Sequence, residues 1–488
     1  MAVNRRAFLK GSATVAGAAA LAGPLQAFAM RVAGGQSLAS PGYGPLVDKG
    51  DLWLPAAFEY TVVQRQGDPM TPVDPATGAP DPGGVSYPTP SRFDGMAAFP
   101  GVDGTTVLIR NHENKKRYRG TPLAPFLPAN EVDVVVPQPY DDFYNGGVVK
   151  VAVRDGEVVE SFPLIGGTTH NCAGGKTPWG TWVTCEEFFQ TNPATGVKHG
   201  YIFEVDARAG GAVAATPIPA AGRFEHEAVA WWDGVVYETE DIADASFYRF
   251  TPVSPGNLAA GGSLEALRLS GLTGPGVPFD TRLGSAWPGG VGAAHPVEWV
   301  SVANPDPEVN AGSASVRAQA QALGAARFAR TEGCWAAAGR VYFDCTTGGG
   351  TAVSGAGLGL GQVFEFDPET QMLTLVFQQT SKVDAALVRP DNITFLETTG
   401  NVFIAEDVSG DGLPAPEPAD HIRGLTRQGR IYDFAKTGTN GTEFAGVCFS
   451  PDRRTMYVNQ QGSAMTGEKG VTYAITGPWL RHPAADQA

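Results

Sequence analysis

Asn171-Cys172-Ala173-Gly174-Gly175 opens, and Cys185-Glu186-Glu187 closes, a short run that carries Trp179-Gly180-Thr181-Trp182-Val183-Thr184 in between. Read as an antiparallel pair of strands, the two ends meet, because the start of one strand lies beside the end of the next. The arrangement recurs along the chain. Phe93-Asp94-Gly95 is followed by Asn111-His112-Glu113, Glu225-His226-Glu227 by Glu240-Asp241, and Arg330-Thr331-Glu332-Gly333 by Asp344-Cys345. Pro390-Asp391-Asn392 is followed by Glu406-Asp407, and Glu443-Phe444-Ala445-Gly446 by Asn459-Gln460. Entries and exits gathered at one sheet edge predict a ring of acids around one axis, and many oxygen ligands in one place point to metal. The candidate ligands are Cys172, Glu186, Glu187, Glu227, Glu332, Glu113, Glu240, Asp241, Asp391, Glu406 and Asp407.

A second alternating pattern sits between these pairs. It reads Gly147–Val151, Tyr201–Asp206, Phe247–Phe250, Val363–Asp367, Arg430–Phe434 and Val471–Ile475. Its recurrence predicts an all-β, six-bladed β-propeller with long loop insertions, with seven blades or two stacked sandwiches as the alternatives. Composition agrees, since 63 Gly and 38 Pro spread through 488 residues suit short strands joined by turns. Within the insertion 253–325, Ala311–Ala326 is expected to form one helix on the rim. Ala405–Gly412 has calcium-loop spacing without the full motif, and a polar turn is the plainer reading.

At the amino terminus, Asn4-Arg5-Arg6-Ala7-Phe8-Leu9-Lys10 precedes an apolar stretch from Gly11 to Leu21 and the small-x-small Ala27-Phe28-Ala29. Residues 1–29 read as a twin-arginine export signal, which predicts recognition by the twin-arginine machinery and a periplasmic or secreted protein. The stretch falls short of the ~20 apolar residues a membrane span needs, so no stable membrane insertion is expected. Residues 30–90, rich in Pro and Gly, are expected to be an extended wrap, and residues 91–488 the propeller domain. A net charge of −15 without clustered Lys and Arg excludes nucleic acid as a partner. Five cysteines leave at least one unpaired. Disulfides Cys172–Cys185 and Cys334–Cys345 stay open as alternatives to ligation, and Cys448 reads as core.

The segment Thr168–Glu187 is the densest in chemistry. A soft thiolate beside hard carboxylates favours a transition metal over calcium at that one position. Together with Phe224-Glu225-His226-Glu227, Phe328-Ala329-Arg330-Thr331-Glu332-Gly333 and Phe449-Ser450-Pro451-Asp452, it resembles the PhoX-type alkaline phosphatases, across most of the chain after the signal. The resemblance implies a six-bladed propeller with ferric iron and calcium (Fe3+ and Ca2+) in its pore, and a small-molecule phosphate ester as substrate. It assigns iron to Cys172, carboxylate ligation to Glu186 or Glu187, Glu227 and Glu332, and substrate binding to Arg330. Arg330, Glu332 and Cys172 are accordingly the expected catalytic residues. The chain departs from the pattern in having Thr331 where the family has Pro, where it is expected only to separate Arg330 from Glu332, and in being shorter than well-known members.

The residues by themselves are compatible with ester hydrolysis. Metals offset the charge of a phosphoryl group, and Arg330 can make a paired contact to its oxygens. His112, His170 and His226 are candidate ligands or proton carriers, with His226 first because it adjoins Glu227. Lys176 and Arg389 read as surface or salt-bridged. No nucleotide loop or nucleophile elbow is found. A calcium-dependent lactonase or arylesterase, or a non-catalytic calcium-binding propeller, stands as the alternative, and neither requires Cys172 or Arg330.

Overall fold

The computed structural model describes residues 24–115, 131–272, 274–379, 386–408, 420–438, 442–463 and 466–481. The fold is all-β with a β-propeller-like arrangement. Each entry segment begins an inner strand: Phe93–Pro100, Asn171–Lys176, His226–Trp232, Thr331–Ala337, Pro390–Leu396 and Phe444–Phe449. These pack neighbour against neighbour in chain order, and the last closes on the first. Each exit ends the antiparallel partner of its inner strand. Phe93 pairs with His112, Asn171 with Glu186, His226 with Glu240, Thr331 with Cys345, Pro390 with Glu406, and Phe444 with Gln460.

The sheets do not divide into equal separate blades. Ala294–Ser301 pairs with both Gly262–Leu269 and Met372–Gln378, fusing two strand sets into a nine-stranded sheet. The segment expected as a wrap supplies strands. Leu52–Pro55 extends the sheet of Ile431–Thr437, and Glu59–Arg65 pairs with Val471–Thr476. Ile431–Thr437 is therefore the fourth strand from the axis, after His421–Leu425, whereas the other copies of the alternating pattern lie third. The third place here belongs to His421–Leu425, and the alternating pattern picked out the fourth strand, which the other four-stranded sets also have.

Apolar residues of adjacent strand sets weld the ring. Phe343 stacks on Phe247 at 4.0 Å and on Phe364 at 5.1 Å between ring centroids, and all three are fully buried. Such buried aromatic pairs add about 1 kcal/mol each beyond area burial. The rim helix is shorter than expected, Val316–Ala322, capped by Ser315, whose side chain accepts from the Ala318 amide. Pro24–Ala33 forms a helix with Leu25 and Phe28 buried, Phe28 against Phe377. Residues 1–23 of the expected export signal, and the second half of the calcium-loop candidate, 409–412, lie outside the described residues. Among the described residues no helix is long and apolar enough to cross a membrane.

Candidate functional site

The six inner strands carry the same irregularity. Each ladder with its partner shifts register just inside the entry, between Phe93 and Met96, Asn171 and Gly174, His226 and Val229, Thr331 and Cys334, Pro390 and Ile393, and Ala445 and Cys448. A bulge leaves a residue out of the ladder and re-aims its side chain. The residues freed in this way include Asp94, Cys172, Glu227, Glu332 and Asp391. Gly333 shows how tightly these strands approach: a Cβ there would lie 2.3 Å from the Asp391 carbonyl oxygen. Glycine is required by the close backbone contact, which draws Glu332 and Asp391 together.

A second set of residues follows the exits. The amides of Glu113, Glu187, Asp241, Thr346, Asp407 and Gln461 donate to the carbonyls of Arg92, His170, Glu225, Arg330, Arg389 and Glu443, which precede the inner strands. Arg92, His170, Arg330 and Arg389 reach that geometry in the left-handed region, with φ of 52°, 47°, 51° and 51°. Such a backbone costs of order 1 kcal/mol without glycine, so the turn is held by its surroundings.

Ligand atoms of Cys172, Glu187 and Glu227 lie within 4.8 Å of one another, as do those of Glu227, Glu332 and Asp391, so Glu227 is common to both groups. Burial pushes the Glu227 carboxyl well above the ordinary range, and Glu187 and Asp391 push it further. Glu332 is raised by burial and Asp241, and Asp391 by burial and Asp407. Burial also raises Glu187, despite the opposing charge of Lys115. The Cys172 thiol is raised by burial, then by Glu227 and Glu187. So many buried acids cannot all be ionised without a counter-charge, and they fit bound cations.

Arg330 stands over this group. Its Nε and Nη2 donate to the two Asp241 oxygens, both at 2.9 Å, and Nη2 donates to Glu332 Oε1 at 3.0 Å. Its side chain keeps 30% of its exposure. No described residue bonds its Nη1. Thr331 does more than separate its neighbours. Its hydroxyl accepts from the Glu240 amide at 2.8 Å and donates to the Glu240 carbonyl at 2.9 Å, tying two inner strand pairs together.

Three expected ligands face elsewhere. Glu186 accepts from the Thr169 amide at 3.1 Å and the Gly200 amide at 2.9 Å, and lies 2.7 Å from His199 Nδ1. Glu240 accepts from the Tyr248 hydroxyl at 2.6 Å and pairs with Arg317 at 3.3 Å. Glu406 accepts from the Val388 amide at 2.7 Å and pairs with Arg423 at 3.0 Å. Each is the last ladder residue of its strand, and the next residue points the opposite way. Glu187, Asp241 and Asp407 are those next residues, and Glu113 stands in the same way after His112.

His226 lies outside both ligand groups. It is buried and stacked on Phe224, its Nε2 lies 3.1 Å from the Gly222 carbonyl, and burial lowers it to about 3. His112 is buried beside Arg110, with Nδ1 2.7 Å from the Ser91 carbonyl. His170 stacks flat on Phe188 at 4.7 Å. Lys176 donates to the Ala98 carbonyl at 2.8 Å, away from the group. Arg389 is buried at the ring position equivalent to Arg330 rather than on the surface. All five cysteines are free and buried, so neither disulfide forms.

Two acids of the ring escaped selection as site residues. Asp94 occupies the same bulge position as Cys172 and is raised to about 7 by burial and Glu113. Glu443 precedes the last inner strand and is raised by burial and Asp407. Both already stood in the repeated entry pattern, and their equivalent position was the available signal.

The alkaline phosphatase PhoX family model matches residues 41–162 and 154–463. Among solved structures, the chain is similar to Pseudomonas fluorescens PhoX in complex with vanadate, described as a transition state analogue, with a TM-score of 0.62 and 19% identity over 90% of this chain and 98% of that one. A putative TolB from Agrobacterium tumefaciens matches at a TM-score of 0.35 and 9% identity, covering 80% of this chain and 93% of that one. No curated protein matches the chain. With both matched stretches spanning most of its length, the chain belongs to the PhoX family of alkaline phosphatases.

Proposed function

We propose that the protein is an exported, metal-dependent phosphatase that hydrolyses phosphate monoesters at the axis of a six-bladed propeller. The observation that carries this reading is the guanidinium of Arg330 held above buried acids that need cations. Family membership supports it, as does the likeness to a PhoX structure determined with vanadate, which comes to this chain as a substrate class.

Iron held in part by Cys172 and Glu187, and calcium held by Glu227, Glu332, Asp391 and the neighbouring acids, is the reading the donors favour, since soft sulfur suits a transition metal and hard oxygens suit calcium. When bound, such cations offset the negative charge of the phosphoryl group and activate the attacking oxygen. Arg330 binds the non-bridging oxygens through its outer edge, while Asp241 and Glu332 fix the guanidinium plane. The packed inner strands keep bulk water from the acids, which strengthens every charge contact there.

Residues 1–29 serve as the twin-arginine signal, 30–90 lead into the ring and 91–488 form the catalytic domain, placing the mature enzyme in the periplasm or outside the cell. Processing after Ala29 divides the helix Pro24–Ala33.

The test is elemental analysis of the natively exported protein, with hydrolysis of p-nitrophenyl phosphate before and after chelation. Iron with calcium and chelator-sensitive turnover is the expected result. Calcium alone with no turnover overturns the reading.

A further inference from the structure

Within the proposed reading, we infer that Lys115 is a second substrate-binding cation at the mouth of the site, donating to a non-bridging oxygen of the phosphoryl group alongside Arg330. The argument starts from the ring positions. Glu113 and Asp241 follow equivalent exits, and each holds a cation by its carboxylate. Asp241 holds Arg330; Glu113 holds Lys115 Nζ through Oε1 at 2.6 Å and Arg92 Nη2 through Oε2 at 2.7 Å.

The two cations on Glu113 differ in what remains available. Arg92 is at the position equivalent to Arg330, but it is largely spent. Its Nε and Nη2 bond Glu113, Nη2 also bonds Gln461 Oε1 at 2.9 Å, and only 17% of its side chain is exposed. An ammonium has three donors. The described residues take one of those of Lys115, and its side chain is 40% exposed above a Glu113 that is only 4% exposed. A phosphate approaching a ring of buried acids in a chain of charge −15 needs cations at the entrance, and Lys115 offers mobile donors there.

The electrostatics run the same way. Glu113 spends one carboxylate oxygen on each cation, Oε1 on Lys115 and Oε2 on Arg92, and so keeps the ammonium in place. Lys115 lies within charge range of Glu187, and Glu187 lies against Asp241, the carboxylate that holds Arg330. Lys115 and Arg330 thus flank the same ligand. A dianionic monoester matches two such cations better than a diester carrying a single charge.

The experiment uses the metal-loaded protein and its Lys115→Met and Lys115→Arg variants. It measures inorganic phosphate binding by calorimetry, metal content by elemental analysis, and kinetics on p-nitrophenyl phosphate and bis-p-nitrophenyl phosphate. Lys115→Met is expected to weaken phosphate binding and raise KM for the monoester about tenfold, the diester less, with metal content unchanged. Lys115→Arg is expected to recover most of the loss. Unchanged phosphate affinity in Lys115→Met overturns the inference, as does a loss of metal in proportion to the loss of binding. The outcomes also separate the two readings. A wild type that binds phosphate through Lys115 but turns over no ester defeats the phosphatase reading and leaves this one standing. An active wild type matched by Lys115→Met does the reverse.

Discussion

Glu186 and Glu187 are adjacent in the chain and serve opposite sides of it: Glu186 closes a buried contact with His199 Nδ1 at 2.7 Å, while Glu187 joins Cys172 and Glu227 in a ligand group. His199 is raised to about 9, because Glu186 and Asp141 outweigh its burial, so the imidazole carries its charge at neutral pH. Glu186→Gln is therefore expected to lower stability by about 3 kcal/mol, since it strands a buried charge, while the folded protein keeps its metals. Glu187→Gln is expected to lower metal content with a smaller loss of stability. Denaturant unfolding and elemental analysis on both variants check this; the opposite pattern reverses the assignment of the pair.

Arg330→Ala is expected to reduce kcat/KM for a phosphomonoester by roughly a hundredfold with bound metal nearly unchanged. Glu332→Ala should lower both, because Glu332 stands in the ligand group as well as under the guanidinium. Wild-type turnover in Arg330→Ala removes the phosphate role.

Cys172→Ser is expected to deplete iron without unfolding the chain, since the Sγ contacts are to the backbone carbonyls of Cys185, His226 and Glu227 and an alcohol fills the same place. Iron analysis with circular dichroism checks it. Iron retained in full moves the soft ligand elsewhere.

Gly333→Ala should open the ring. The added Cβ meets the Asp391 carbonyl, so the inner strands must separate, at a cost of about 2 kcal/mol. Metal affinity is expected to fall alongside stability, although no ligand is changed. A variant with native metal content and native midpoint shows that the strands do not need this approach.

Removing the metals should make stability fall with rising pH. The acids of the ring are raised when folded, so each contributes stability that is fully present below its unfolded value and is lost as pH climbs through its folded value. For Asp94 that window runs from the ordinary carboxylate range to about 7, and Glu187, Glu227, Glu332, Asp391 and Glu443, which burial also raises well above that range, lose theirs in the same direction. Glu113 is depressed to about 2, so its contribution persists throughout that window. Thermal midpoints of chelated and loaded protein between pH 5 and 9, a range of about four units around these values, are expected to diverge upward in pH. Parallel curves mean that the acids are not metal-compensated.

Much of this architecture was legible because entry and exit residues are ladder partners, as Asn171 and Glu186 are, and sequence spacing reports that directly. Which acid of a pair faces the axis was not legible. Glu186, Glu240 and Glu406 differ from Glu187, Asp241 and Asp407 by one residue of strand parity, and parity at a strand end is fixed by where pairing stops. Asp94 was legible in principle, since it shares its bulge position with Cys172, Glu227, Glu332 and Asp391, which the repeated pattern did single out. The merged nine-stranded sheet depends on Ala294–Ser301, which lies inside an insertion with no repeat signature.

Glu59–Arg65 takes its place beside Val471–Thr476, so one of the earliest strands of the ring waits for one of the latest. During synthesis the circle stays open until residue 476 has left the ribosome, and Glu443, the final acid, emerges only shortly before. Under the proposed function, loading of the centre is thereby a step that follows translation, and a chain cut short before Glu443 has neither a sealed circumference nor a finished set of acids.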